Sequence, residues 1–247
     1  MPCSVFGADI VWVTANSDTP TPPSPDDSGW TGMLTSHGHN VDRRTVNDIH
    51  TNLDDYHALL KADLVIISRN NAAGSLANTE EEITCWNEIC TPVISFLPHV
   101  IRSSRWRWTT AGLKNISALV EAEVPRHALF KAVNLDLMNQ VPAFSSFIDI
   151  LNSTAVGNGT LLATDATDND AWVVYWETGL EFYPGSGQTA GGPRMFFGAG
   201  SPSSPEGGVN AQSEGRQMFL NAVDFMTARP RVNITFEGYT GSENLVN

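Results

Sequence analysis

The chain has 247 residues and a formal net charge of −13, from 27 acidic against 14 basic residues. Its length and its 41% hydrophobic content suffice for a large globular core. The negative charge argues against nucleic acid as a partner, because such a surface repels phosphates. No apolar run approaches the ~20 residues of a membrane-spanning helix, so a membrane is not an expected partner either.

The first part of the sequence alternates short apolar runs with helical patterns. Strand-like runs lie at 9–14, 39–46, 63–68 and 91–97, and helical patterns lie near 30–37, 52–60 and 79–90. Asn52 and Thr79 stand where the N-caps of the second and third helices belong. This β-α-β-α-β-α-β order predicts a parallel sheet with right-handed crossovers.

The rest of the sequence has a different pattern. Residues 110–151 are expected to be helical, with one apolar stripe formed by Phe144, Phe147, Ile148 and Leu151. Strands are predicted at 160–164, 171–178 and 193–200, joined by links short enough for antiparallel pairing. A last helix begins near Ser213. We expect one domain over 1–228, and either an edge strand or a linker tail over 229–247.

Several segments resemble a known family: "DIVWVT", "LTSHGHNV", "ADLVIIS", "TPVISFL" and "GPRMFFGAG" followed by "SEGRQMFLNAVDFM". They are similar to class I glutamine amidotransferase-like proteins, in particular to the trehalose-utilisation (ThuA-like) branch and related secreted modules. The resemblance implies a three-layer α/β/α fold of flavodoxin-like type. Its central sheet would be mainly parallel and extended by antiparallel strands from the C-terminal third.

The same family places its nucleophilic cysteine in a Gly-x-Cys-x-Gly turn after the fourth strand. Here the matching residues, 95–99, read "SFLPH", without cysteine or flanking glycine. A late His-x-Glu pair is also missing, since no histidine follows His127. We therefore expect no cysteine-based glutaminase activity. ThuA-like relatives also lack that cysteine.

Ligands bind at the carboxyl ends of the strands in open α/β sheets. At and near this edge the sequence predicts a ligand-binding set of Asn16, Ser68, Arg69, Asn70, Asn71, Arg102, Arg105 and Glu177. His99 with Asp18 is the candidate acid–base pair, because histidine titrates near neutral pH. Trp106 and Trp108 would offer apolar faces to a sugar ring. The alternative is that the arginines pair with acids across the loops and His99 is a structural histidine.

Two patterns raise the question of a metal. Asp165, Asp168 and Asp170 are oxygen-rich and suit calcium, although a plain polar hairpin turn is the simpler interpretation. His37 and His39 flank Gly38, and there a helix-to-strand turn explains the pattern better than a metal site. Apart from calcium, no cofactor is predicted.

Three functions remain open. The first is a ligand-binding module, carbohydrate-related, with a small molecule or carbohydrate as its partner. The second is a hydrolase of a small ester, lactone or glycoside that uses His99 with a nearby carboxylate. The third is an interaction module of a larger multidomain protein. An extracellular or periplasmic location is expected, although no N-terminal segment here has the pattern of a signal peptide.

Overall fold

The computed structural model of the chain describes residues 7–15, 27–116, 119–200 and 209–228. Eleven strands lie in these ranges: β1 Asp9–Val13, β2 Asn40–Arg44, β3 Leu64–Ile67, β4 Val93–Ser95, β5 Leu113–Ile116, β6 Val120–Ala122, β7 Gln140–Val141, β8 Ile148–Leu151, β9 Thr160–Asp165, β10 Ala171–Trp176 and β11 Arg194–Phe197. The α-helices of the same ranges are α1 Ser28–Ser36, α2 Leu53–Lys61, α3 Glu80–Glu88 and α4 Ser213–Thr227.

Nine strands form one mixed sheet in the order β2-β1-β3-β4-β11-β10-β9-β6-β7. The first five are parallel to one another, and each later neighbour pairs antiparallel. The β-α alternation over 9–97 and the β9–β10 hairpin are therefore confirmed. Both predicted caps also form, because Asn52 accepts a hydrogen bond from the Asp55 N–H and Thr79 accepts one from the Glu82 N–H.

The middle segment does not fold as predicted. Residues 110–151 were expected to be helical, but they contain β5, β6, β7, β8 and a single 3-10 turn, Ala128–Phe130. The expected stripe is divided: Phe144 stacks on Trp172, whereas Phe147 is exposed. Strands of two to four residues carry too little pattern to be recognised locally, and β6 pairs with β9, some forty residues further along the chain.

Successive side chains of a strand point to opposite faces of the sheet. Both faces of the parallel strands therefore present apolar side chains, and helices cover both. On one face Trp12 and Ile66 pack into a core with Trp30 of α1 and Phe219 of α4. On the other, the neighbouring strand residues pack with side chains of α2 and α3, in a second core that includes Val11, Val65, Leu59 and Trp86. The sheet therefore separates two apolar cores.

Two further expectations concern the C-terminal tail and membrane-spanning helices. The predicted edge strand or linker tail at 229–247 lies outside the described residues. Within the part of the chain that the structure covers, no helix is long and apolar enough to cross a membrane.

Candidate functional site

The parallel strands β1, β3, β4 and β11 end at the same side of the sheet. We call this side the carboxyl edge, formed by residues 14–15, 68–71, 96–99 and 198–200, which follow those strands directly. The hydrogen bond from the Ala15 N–H to the Asn70 carbonyl, 3.0 Å, joins the loops after β1 and β3. This is the side on which open α/β sheets bind ligands.

Asp27 holds the loop after β3 against the start of α1. Its carboxylate is buried and accepts hydrogen bonds from the Ser68 hydroxyl and the Asn70 side-chain amide, both at 2.8 Å. The Asn70 N–H in turn donates to Ser68 Oγ at 2.9 Å. Ser68 is fully buried with its hydroxyl engaged on both sides, so it positions the loop and is not accessible as a nucleophile.

Arg69 forms an ion pair with Asp149 of β8. Asn115 of β5 stands opposite Asp149 and donates its side-chain amide to Asp149 Oδ1 at 2.9 Å. Burial alone would raise the pKa of Asp149, but the hydrogen bonds from Asn115 and Arg69 hold it below its ordinary range. The β5–β8 ribbon therefore brings a carboxylate and an amide to the carboxyl edge. Sequence reasoning missed both residues, because it treated their segment as helical.

His99 lies half-buried beside this pair. Burial lowers the pKa of His99, and the Arg69 guanidinium lowers it further, while the Asp149 carboxylate opposes the shift. Its Nδ1 atom is buried and has no hydrogen-bond partner among the described residues, and the same is true of Arg69 Nε. Burial and the neighbouring guanidinium therefore both favour the neutral imidazole over the imidazolium.

The turn after β4 is not a nucleophile elbow. Positive φ angles at described non-glycine residues occur at Asp48, Arg107, Ala132, Asn139 and Asn169, and not between 95 and 99. Ser95 is buried, and its hydroxyl contacts the Leu97 backbone, with Oγ 3.2 Å from the N–H. The strained backbone that exposes a nucleophile above a sheet is therefore absent from this turn.

The remaining predicted site residues do not all lie at the carboxyl edge. Asn71 ties the carboxyl edge together by donating to the Val13 carbonyl at 2.7 Å, and Arg102 Nε donates to the His99 carbonyl at 3.2 Å. Arg105 instead contacts the Ala77 carbonyl in the loop before α3. Glu177 follows β10, which runs antiparallel to β11, so it lies at the opposite edge of the sheet. Asn16 and Asp18 lie outside the described residues.

Trp106 and Trp108 do not provide ligand faces. Both side chains are completely buried, Trp106 against Trp86 and Trp108 stacked on Phe182. The indole N–H of Trp108 donates to Asn87 Oδ1 at 2.8 Å. The expectation that these rings would contact a sugar was therefore wrong, and the rings belong to the core.

The acidic turn between β9 and β10 is occupied by a lysine. Lys114 Nζ contacts Asp168, and it lies 2.9 Å from Asp170 and 3.7 Å from Asp165. The hydrogen bonds that Lys114 donates to Asp168 and Asp170 raise the pKa of Lys114 above its ordinary value. This ammonium group supplies positive charge that calcium would otherwise bring, which favours the polar-turn interpretation.

His37 and His39 approach Asp224 of α4, with possible ligand atoms within 4.8 Å of one another. However, the Ala8 N–H donates to His39 Nδ1 at 3.2 Å. A histidine that binds a metal through Nε2 normally donates from Nδ1, and Nδ1 here accepts. This direction of the hydrogen bond at His39 Nδ1 favours the helix-to-strand turn over a metal site.

Comparisons with known proteins give structural matches only. No protein-family model matches the chain, and no curated protein matches it. A thua-like protein from Bacteroides uniformis superposes with a TM-score of 0.52 at 11% identity, covering 90% of this chain and 91% of the other. One from Parabacteroides merdae gives 0.54 at 10% identity with the same coverages. At this identity the likeness establishes a shared mixed α/β fold.

Proposed function

We propose that this chain is a carbohydrate-binding module on a class I amidotransferase-like fold, without cysteine-based glutaminase activity. The observation that carries the proposal is the convergence of Arg69, Asp149, Asn115 and His99 at the carboxyl edge. These residues come from β5, β8 and the loops after β3 and β4, and together they offer donors and acceptors side by side.

The fold supports the first half of the proposal. The parallel strands follow the order β2-β1-β3-β4-β11, which is the order of flavodoxin-like sheets. Helices α1 and α4 on one face and α2 and α3 on the other are consistent with three layers. The relaxed backbone and the absence of cysteine at 95–99 support the loss of glutaminase chemistry.

The chemistry of the edge supports a neutral, hydroxyl-rich ligand. Arg69 is paired with Asp149, so its charge is already compensated. A sugar hydroxyl both donates and accepts, and it can meet a carboxylate on one side and a guanidinium or amide on the other. The chain's net charge of −13 opposes an anionic ligand further.

Binding measurements test this proposal. Titration calorimetry or ligand-observed NMR with glucose, trehalose and cellobiose should detect binding of at least one of them. We expect Arg69→Met to weaken that binding about tenfold or more, because a charged hydrogen-bond donor is lost. The matched control is Arg107→Met, which removes an arginine paired with Glu80 away from the site. No binding of any neutral sugar, or preferred binding of glucose 6-phosphate, contradicts the proposal.

A hydrolase is the second candidate, and His99 is the observation that favours it. A neutral imidazole beside a carboxylate can act as a general base. Asp149 lies close to His99 and would serve as that carboxylate, while Asp18 lies outside the described residues. Nitrophenyl esters, nitrophenyl glycosides and a small lactone serve as probes. If this candidate is correct, His99→Asn abolishes turnover and the exposed-histidine control His57→Asn does not.

The cellular context belongs to the same proposal. We place the module in an extracellular or periplasmic setting and as part of a larger multidomain protein, on the sequence resemblance to secreted modules. Cell fractionation followed by immunodetection of the natural protein would give both its location and its full length. A cytoplasmic protein would overturn this placement without affecting the binding site.

A further inference from the structure

Phe147 is the one exposed side chain among the phenylalanine, tyrosine and tryptophan residues that the structure describes. Its exposed fraction is 61%. The other exposed large apolar residues of the described ranges are aliphatic: Leu53, Leu119, Val124, Leu137, Met138 and Leu180. A single exposed apolar residue needs no explanation by itself, so its surroundings decide whether it has a role.

Those surroundings include the candidate site. Phe147 directly precedes β8, two residues before Asp149. Alternation along a strand places residues two apart on the same face, about 7 Å from each other. Ile148 and Ile150 occupy the other face and are completely buried. Extended one residue before the start of β8, this alternation puts Phe147 on the side of the chain that carries Asp149.

This combination has a recognisable chemistry. Ligand sites join an apolar wall to a few convergent polar groups that fix orientation. A pyranose ring has the matching form, with hydroxyls around its rim and C–H groups on its faces. An open-chain polyol has the same hydroxyls but presents no rigid apolar face.

We propose that Phe147 is the apolar wall of the site and packs against the C–H face of a neutral pyranose whose hydroxyls bind Asp149, Arg69 and Asn115. This inference rests on the proposed carbohydrate-binding function and names its ligand class. Phe147 thus takes the role that the sequence assigned to the buried Trp106 and Trp108. It also makes the site selective for rings over linear polyols.

The test compares two probes on three variants. Methyl β-glucopyranoside and sorbitol are titrated into the unaltered protein, Phe147→Ala, Phe147→Tyr and the control Leu137→Ala, which removes an exposed apolar side chain from a remote turn. We expect Phe147→Ala to bind the glucoside about five- to tenfold more weakly and to lose its preference over sorbitol. Phe147→Tyr should retain both, and Leu137→Ala should change neither.

The outcomes separate this inference from the proposed function. One outcome is that the glucoside binds, that Arg69→Met weakens this binding and that Phe147→Ala does not. This outcome refutes the role of Phe147 and leaves the proposed polar site intact. If the unaltered protein binds neither the glucoside nor any other neutral sugar, both proposals fall. Because the ring is exposed, we expect Phe147→Ala to unfold at the same temperature as the unaltered protein. A lower unfolding temperature would show that Phe147 has a structural role instead.

Discussion

The two edges of the sheet hold polar groups in different ways. At the carboxyl edge, the polar side chains pair mainly with one another, as Ser68 and Asn70 do with Asp27 and Arg69 does with Asp149. At the opposite edge, the completely buried Arg194 donates through its Nη atoms to five backbone carbonyls, those of Trp86, Asn87, Ile89, Thr91 and Pro193. The carboxyl edge is therefore held by contacts between side chains, and the opposite edge near Arg194 by contacts with backbone carbonyls.

Arg194 also joins the start of β11 to the end of α3. Three of its acceptors lie at the end of α3, where helix carbonyls lack intrahelical partners and attract a cation. Burial lowers the pKa of Arg194 to about 9, which still leaves the guanidinium charged at pH 7. The glycine-rich segment after β10 packs here as well, since the Gly191 N–H donates to the Asn87 carbonyl at 2.7 Å. The part of the opposite edge around Arg194 is therefore structural.

The largest effect should come from Arg194→Met. It removes the side-chain donor from five backbone carbonyls, of which only those of Asn87 and Pro193 have a further backbone N–H donor among the described residues, from Gly191 and Val93. We expect a loss of about 3–5 kcal/mol in the free energy of unfolding. Urea denaturation followed by tryptophan fluorescence measures the change. Arg107→Met is the matched control and should cost less than about 0.5 kcal/mol, because its ion pair is with the exposed Glu80. Equal losses in the two variants would contradict the structural role of the opposite edge.

Trp108→Phe should give an intermediate effect. It removes buried ring volume and the hydrogen bond to Asn87, so we expect about 2 kcal/mol of destabilisation. Affinity for methyl β-glucopyranoside should remain unchanged, because the ring does not reach the carboxyl edge. Thermal unfolding and the sugar titration are measured on the same preparation. A weaker affinity with unaltered stability would show that Trp108 belongs to the binding site.

The smallest effect, and the one that depends on pH, is expected from Asp149→Asn. Because folding lowers the pKa of Asp149, its stabilisation is complete above the ordinary carboxyl range and is lost as pH falls through the folded value. The variant should therefore lose about 1 kcal/mol at pH 7, and the difference should shrink below about pH 4. Asp42→Asn, at an exposed ion pair, is the control. A difference that grows towards acid pH would have the wrong sign.

Local patterns were reliable where neighbours along the chain decide the structure. The caps at Asn52 and Thr79 were correct because each bonds to a backbone N–H three residues away. Asp27 was missed as a site residue, although an acidic residue directly before the α1 pattern is a recognisable N-terminal signal. Its two partners, Ser68 and Asn70, lie more than forty residues away, so no local signal connects them.

The sequence by itself determined the β-α alternation up to β4, the β9–β10 hairpin and the absence of cysteine from residues 95–99, because these depend on residue type and short spacing. Only the tertiary structure decided that residues 110–151 form strands, that Trp106 and Trp108 are buried and that Phe147 is exposed. It also paired Arg69 with Asp149 across 80 positions of the chain. The physical reason is that burial and pairing depend on which distant segments meet, and short strands acquire their partners only when the sheet assembles.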